Sequence, residues 1–281
     1  MKKFLVLPLL VVAFTMCSAF SVEAQNTEPA GAEVQTCKLP IVMYHKVLKR
    51  HISKYSVSPD QLREDFTAIL DAGFTPVFMS EVIDFVEGNG KLPEKPIVIT
   101  FDDGYYNNLY YALPIAKELG VKFMMYPVTG YSKFTIDTKD ESNPNYSHVT
   151  WEQIKEGVDS GLIEMGNHSH KMHSFKPRFG ISKLNAESDE EYETRLKADI
   201  EEAQTLIENC HVPRPMTFAY PFGKYSAKAR EVLIDMGFHA LLTCNERVST
   251  ITKGDPKSIH ALGRFNRDGD MSTERLLKKI D

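Results

Sequence analysis

The residues of this 281-residue chain best suited to chemistry gather in two short stretches, Thr100-Phe101-Asp102-Asp103-Gly104 and Asn167-His168-Ser169-His170-Lys171-Met172-His173. Adjacent carboxylates can divide labour, one holding a cation while the other moves a proton, and neutral imidazole is a common metal ligand. Asp-Asp-Gly alone is an ordinary turn. What sets it apart is the preceding Pro96-Ile97-Val98-Ile99, a fully apolar run that reads as a buried strand. The aspartates then fall at the carboxyl end of that strand, where α/β barrels and open parallel sheets keep their active sites. Neighbouring strand side chains point to opposite faces, so Gly104 is expected to turn the chain and bring both carboxylates to one pocket. Core packing does not explain a histidine cluster just after a strand. Asp103, His168 and His173 would supply a carboxylate and two imidazoles, a facial set that leaves positions open for water and substrate. Spacing alone equally allows His168 with His170.

The elements that must position these residues alternate between strand and helix. Leu39 to Tyr44 is an apolar strand ending on His45. Ser58-Pro59 followed by Leu62, Phe66, Ile69 and Leu70 is a capped helix closed by Gly73. A strand over 74–78, a helix capped by Ser80, a helix over 109–119 despite Pro114, and a strand over 121–128 follow. Residues 129–148 lack a period and read as a long loop walling the site. Thr150-Trp151-Glu152-Gln153 opens a helix ending at Gly161, residues 162–166 form a strand, and Ser188 caps a long amphipathic helix to Asn209. Short strands are expected at 216–220, 239–243 and 261–265, with helices at 227–236 and 273–280. This alternation, without repeats, predicts an α/β fold with a parallel barrel or open parallel sheet.

A basic start, Met1-Lys2-Lys3, an apolar run from Phe4 to Phe14 and compact residues at Val22-Glu23-Ala24 read as a signal peptide over 1–24, followed by a tether over 25–38 and one domain over 39–281. Cys17 would suit a lipoprotein, but Met16 stands where a small residue belongs. The apolar run is short for a membrane span, and no later segment is long enough. A net charge of −5 without a Lys/Arg stripe excludes an electrostatic footprint for nucleic acid. Export permits a disulfide, but Cys37, Cys210 and Cys244 leave the pairing open, and their spacing is not that of a zinc site.

Together with Phe218-Ala219-Tyr220-Pro221-Phe222-Gly223, the two motifs resemble the polysaccharide deacetylases with the NodB homology domain, carbohydrate esterase family 4. The resemblance covers nearly the whole domain. It implies a distorted (β/α) barrel with fewer strands than the eightfold one and a divalent metal, zinc foremost. It assigns Asp102 as general base, Asp103, His168 and His173 as metal ligands, and the backbone N–H of Phe222 as oxyanion donor.

The general acid departs from the usual pattern. The late segment Ile259-His260-Ala261-Leu262 does not match the family's Leu-x-His, whereas Met43-Tyr44-His45 is similar to the first strand of the poly-N-acetylglucosamine deacetylases, so His45 is preferred over His260. An arginine common before the Pro-aromatic-Gly turn is replaced by Ala219, and Arg264, instead of Arg214, is expected to pair with Asp102. The implied substrate is an acetylated polysaccharide, with poly-N-acetylglucosamine ahead of peptidoglycan, chitin oligomers and acetylated xylan. A carboxylate-pair glycosidase has no use for the histidines. A non-catalytic carbohydrate-binding module would keep a groove without needing Asp102 beside the ligands.

Overall fold

The computed structural model describes residues 34–281. The expected signal peptide lies outside them, as does most of the expected tether. In chain order the elements are β1 (Thr36–Leu39), β2 (Ile41–Tyr44), β3 (Lys46–Val47), β4 (Ser56–Val57), α1 (Pro59–Asp71), β5 (Thr75–Pro76), α2 (Met79–Val86), β6 (Pro96–Asp103), α3 (Leu113–Leu119), β7 (Phe123–Pro127), α4 (Thr129–Thr138), α5 (Trp151–Asp159) and β8 (Ile163–Met165). They continue with α6 (Asp189–Glu208), β9 (Thr217–Ala219), α7 (Ala227–Asp235), β10 (Ala240–Leu242), β11 (Ser249–Thr252), β12 (Phe265–Asn266) and α8 (Thr273–Ile280).

Parallel pairing runs β12-β2-β6-β7-β8, and β9 pairs in parallel with β10. Single bridges link these two sheets: Asn167 with Phe218 carries the path from β8 to β9, and Leu242 with Leu262 carries it from β10 towards β12. The fold is the distorted (β/α) barrel expected, its two parallel sheets linked only by isolated bridges where an eightfold barrel has continuous ladders.

The central strand β6 is buried throughout, and its alternation sorts two cores. Ile97, Ile99 and Phe101 pack outward against α1 and α3, while Val98 faces inward with Met124, Tyr126, Ala219, Leu242 and Leu262. Period two therefore sends Thr100 and Asp102 into the barrel. α1 starts at a reciprocal cap, with the Gln61 N–H donating to Ser58 Oγ and the Ser58 N–H to Gln61 Oε1, and α5 and α6 start in the same way at Thr150 and Ser188. The cysteines of the described residues, Cys37, Cys210 and Cys244, are free thiols. Among the described residues no helix is long and apolar enough to cross a membrane.

Several expectations are corrected. Residues 36–38, expected in the tether, belong to β1, which pairs antiparallel with β11, a strand with no counterpart in the expected list. α2 begins two residues early: Phe78 is its N-cap residue, its N–H donates to Glu81 Oε2 at 2.8 Å, and Ser80 sits inside the helix with its hydroxyl on Glu164. The helix expected from 109 is a π turn over Asn108–Ala112 before α3 proper, which lets Pro114, lacking an N–H, occupy the first turn of α3. Residues 129–138, expected as loop, form α4. Its buried positions are Thr129, Ser132 and Thr135, so helical spacing is present but carried by hydroxyls, which a hydrophobic period does not register. The strand expected over 261–265 is a bridge at Leu262 followed by β12, with Arg264 between them.

Candidate active site

At the end of β6 the turn starts earlier than expected. Asp103 itself has φ 69°, Gly104 follows at φ 74°, and a Cβ on Gly104 would stand 2.7 Å from Pro127 Cβ. A non-glycine residue in the left-handed region is strained and persists where its surroundings over-determine it. The consequence is that Asp103, which alternation alone would aim away from Asp102, shares a cavity with it. That cavity of about 810 Å³ is lined by His45, Asp102, Asp103, Tyr105, His168, His173, Phe222 and Cys244, among others.

Hydrogen-bond arithmetic fixes what the histidines present. His168 Nδ1 lies 2.7 Å from the Ala219 carbonyl oxygen; a carbonyl only accepts, so this nitrogen carries the proton and Nε2 is left with a lone pair. His173 Nδ1 lies 3.2 Å from the Tyr131 hydroxyl, which also donates to the His173 carbonyl at 2.8 Å. A phenol has one proton, so His173 Nδ1 must be the donor in the first contact, and its Nε2 is again unprotonated. Both Nε2 atoms turn towards Asp103 Oδ1, at 3.7 Å from His168 and 3.3 Å from His173. That oxygen is buried and has no hydrogen-bond partner. Three acceptors thus converge with no proton among them, all within 4.8 Å of one another, an arrangement that a divalent cation satisfies.

The electrostatics agree. Burial drives the His168 imidazole down to about 3 and lowers His173, keeping both neutral and ligand-competent. Burial also raises the Asp103 carboxyl, and Asp102 pushes the same way against the pull of His45. Asp102 differs. Burial, the largest single influence, would raise it, but the charge and hydrogen bonds of the Arg264 guanidinium, together with the imidazoles of His168 and His45, outweigh burial and hold its carboxyl at about 2. Arg264 is fully buried and grips Asp102 with two parallel bonds, Nη1 to Oδ1 at 2.7 Å and Nη2 to Oδ2 at 2.8 Å. Its Nε donates to the Thr243 carbonyl at 3.1 Å.

The structure therefore brings together Asp102, Asp103, His168, His173 and Arg264. His45 joins them on the cavity wall, because β2 pairs with β6 in the register Tyr44 to Phe101, which sets His45 beside Asp102. Its Nδ1 is buried without a partner. Phe222 lines the same cavity at φ 57°, its ring 4.4 Å from His173. The alternatives fall elsewhere. The His170 imidazole is engaged by Thr129 Oγ1 at 2.9 Å, His260 ends the short 3-10 turn Pro256–Ile259 away from the cavity lining, and Arg214 pairs with Glu201 and Glu208. Tyr131 and the second buried pair, Arg267 with Asp65 at 2.6 Å, were not foreseen. Tyr131 lies in the stretch 129–148 that reads as loop from its sequence, and nothing in the sequence marks Asp65 apart from other polar residues of α1.

The polysaccharide deacetylase family matches residues 89–241, a span that includes Asp102, Asp103, His168, His173 and Phe222 but neither His45 nor Arg264. The chain is 25% identical over 218 residues to the poly-beta-1,6-N-acetyl-D-glucosamine N-deacetylase of Escherichia coli (strain K12), covering 71% of this chain and 32% of that one. It thus spans about a third of the first curated relatives it matches. It is 22% identical over 275 residues to the enzyme of the same name from Staphylococcus aureus (strain MSSA476), covering 90% of each. Among solved structures, a de-N-acetylase from Aggregatibacter actinomycetemcomitans superposes with a TM-score of 0.73 at 23% identity, over 86% of this chain and 100% of that one, a likeness of fold.

Proposed function

The chain belongs to the polysaccharide deacetylase family, and from that premise we propose that it is an exported, metal-dependent hydrolase removing N-acetyl groups from a β-linked N-acetylglucosamine polysaccharide, with poly-β-1,6-N-acetylglucosamine favoured. The observation that carries the reading is the convergence of three unprotonated ligand atoms on one point beside a carboxylate that Arg264 keeps ionised. The favoured polymer is supported by the names of the relatives from Escherichia coli and Staphylococcus aureus. His45 at the end of an early barrel strand fits the same preference.

In this reading Asp103, His168 and His173 hold the ion, zinc being the choice that suits one carboxylate and two imidazoles. When bound, it polarises the acetamide carbonyl and acidifies a water beside it. Asp102 takes the proton of the attacking water as the new C–O bond forms. Arg264 acts through Asp102, keeping the base ionised and aimed into the cavity. The Phe222 N–H donates to the tetrahedral oxyanion, the turn being held for that purpose in its left-handed conformation. His45 gives a proton to the departing nitrogen as the C–N bond breaks, leaving acetate and a free sugar amine.

Residues 1–24 act as the signal peptide in this proposal, supported by their basic start and apolar run. The catalytic domain then runs from the first residues of β1 to the C-terminus. Acetate release from a panel of N-acetylated and O-acetylated saccharides, with and without chelator, tests the whole reading. Chelator-sensitive release from N-acetylglucosamine oligomers is expected. Release only from acetylated xylan would make the protein an esterase, and none from any substrate would leave a carbohydrate-binding module.

A further inference from the structure

The first turn of α4 is built onto the histidine loop. The Thr129 N–H donates to the Ser169 carbonyl at 3.2 Å and the Gly130 N–H to the His170 carbonyl at 3.0 Å. The backbones approach so closely that a Cβ on Gly130 would stand 2.3 Å from the His170 oxygen. Two side chains of the same turn reach two histidines: Thr129 Oγ1 engages His170 Nδ1, and the Tyr131 hydroxyl engages His173 at both its Nδ1 and its carbonyl. The Tyr131 ring is itself confined, 4.9 Å from His148, which stacks 4.6 Å from Tyr105 and whose N–H donates to Thr135 Oγ1 at 3.2 Å.

We propose that Tyr131 is the positioning residue for His173, selecting the Nδ1–H tautomer and the ring orientation in which Nε2 faces Asp103. The proposal rests on reading Asp103, His168 and His173 as a metal site. His168 is oriented by a backbone carbonyl, a partner that no side-chain substitution removes. The main-chain partner of the His173 ring is its own carbonyl, which moves with the residue, and the ring sits on a loop with 13% of its side chain exposed, so the fixed partner outside the residue that orients it is the phenol. A half-turn of the imidazole would replace Nδ1 by carbon at the tyrosine and Nε2 by carbon at Asp103, losing both interactions together. The Nε2–H tautomer would leave two acceptors facing each other at Tyr131, because the phenol's single proton is committed to the His173 carbonyl, and would place a proton where the ion must bind. His170, the histidine that does not reach Asp103, becomes the matching peg: its ring pins the loop to Thr129 and leaves the ligand role to its neighbours.

The test compares Tyr131→Phe with Thr129→Val, each losing one hydroxyl of the same helical turn. Titration of the metal-free proteins with Co²⁺ and Zn²⁺ should show about 10–100-fold weaker binding for Tyr131→Phe, the usual effect of losing an outer partner of a ligand histidine. Thr129→Val should stay within about twofold of the unaltered protein, well below that range. The ¹⁵N shifts of His173 in the metal-free protein should report the Nδ1–H form, with the Nε2–H form rising in Tyr131→Phe. Equal affinities for Tyr131→Phe and the unaltered protein, or an equal loss in Thr129→Val, would overturn the proposal. If the unaltered protein binds neither ion, the metal reading fails, and the tautomer measurement still decides the role of Tyr131.

Discussion

Replacing Arg264 by methionine, which keeps an unbranched apolar stem and removes the guanidinium and its charge, should cost more stability than any surface substitution. The Arg264 side chain is fully buried and that of Asp102 is 3% exposed, so water cannot replace the two guanidinium bonds that are lost. Breaking a buried pair by deleting one partner costs about 3–5 kcal/mol, because the other charge is left without compensation. For a domain of this size that corresponds to a melting temperature lower by roughly 6–20 °C. Asp102→Asn strands the opposite charge and should cost a similar amount. The double variant Arg264→Met/Asp102→Asn strands neither, so its loss should fall short of the sum of the single losses by roughly 2 kcal/mol, a coupling typical of residues in direct contact. Urea unfolding in the presence of chelator, followed by circular dichroism and by the fluorescence of Trp151, the chain's one tryptophan, measures the cycle without a metal contribution. Single losses that add to within about 0.5 kcal/mol would show the pair to be uncoupled and refute the electrostatic reading of Asp102.

Other outcomes follow from the same geometry. His173→Ala should weaken zinc binding far more than His170→Ala, and the reverse order in a metal titration would move the ligand role to His170. Asp102→Asn should retain its metal, measured by elemental analysis, while losing nearly all acetate release; loss of the metal instead would exchange the roles of the two aspartates. Arg267→Met should destabilise the fold by about 3–5 kcal/mol, since Asp65 is buried and also receives hydrogen bonds from Tyr44 and Thr273; a loss below about 1 kcal/mol, the scale of an exposed pair, would contradict that burial. Burial raises the Glu164 carboxyl above its ordinary 4.5, against the Ser80 hydrogen bonds that lower it. The folded protein therefore binds that proton more tightly than the unfolded chain, and the group's penalty appears as pH rises past the unfolded value. Glu164→Gln should accordingly gain stability relative to the unaltered protein between pH 4 and pH 7, and a constant difference across that range would contradict the assignment.

Local chemistry made part of this protein legible in its sequence. The apolar run before Asp102 marks a buried strand because a strand covered on both faces has no polar positions, and the caps at Ser58, Thr150 and Ser188 mark helices because their reciprocal bonds need particular residues three apart. The histidine cluster stood out because such a density of ligand-bearing side chains has no packing purpose. Tertiary structure decided what depends on contacts between distant segments. Spacing could not choose between His170 and His173, since the choice lies in which imidazole Thr129 and Tyr131 engage. α4 was invisible because its buried face is made of hydroxyl-bearing residues, Thr129, Ser132 and Thr135, on which a hydrophobic period carries no signal. The turn that brings Asp103 to Asp102 occurs at the aspartate itself, in a backbone conformation that local preference disfavours, followed by a glycine that passes too close to Pro127 to carry a side chain. Arg264 could be suspected from the missing arginine at Ala219, but its grip on Asp102 is created only when the segment from Leu262 to β12 docks between β10 and β2, because only there does a residue 162 positions away enter the hydrogen-bonding distance of the base.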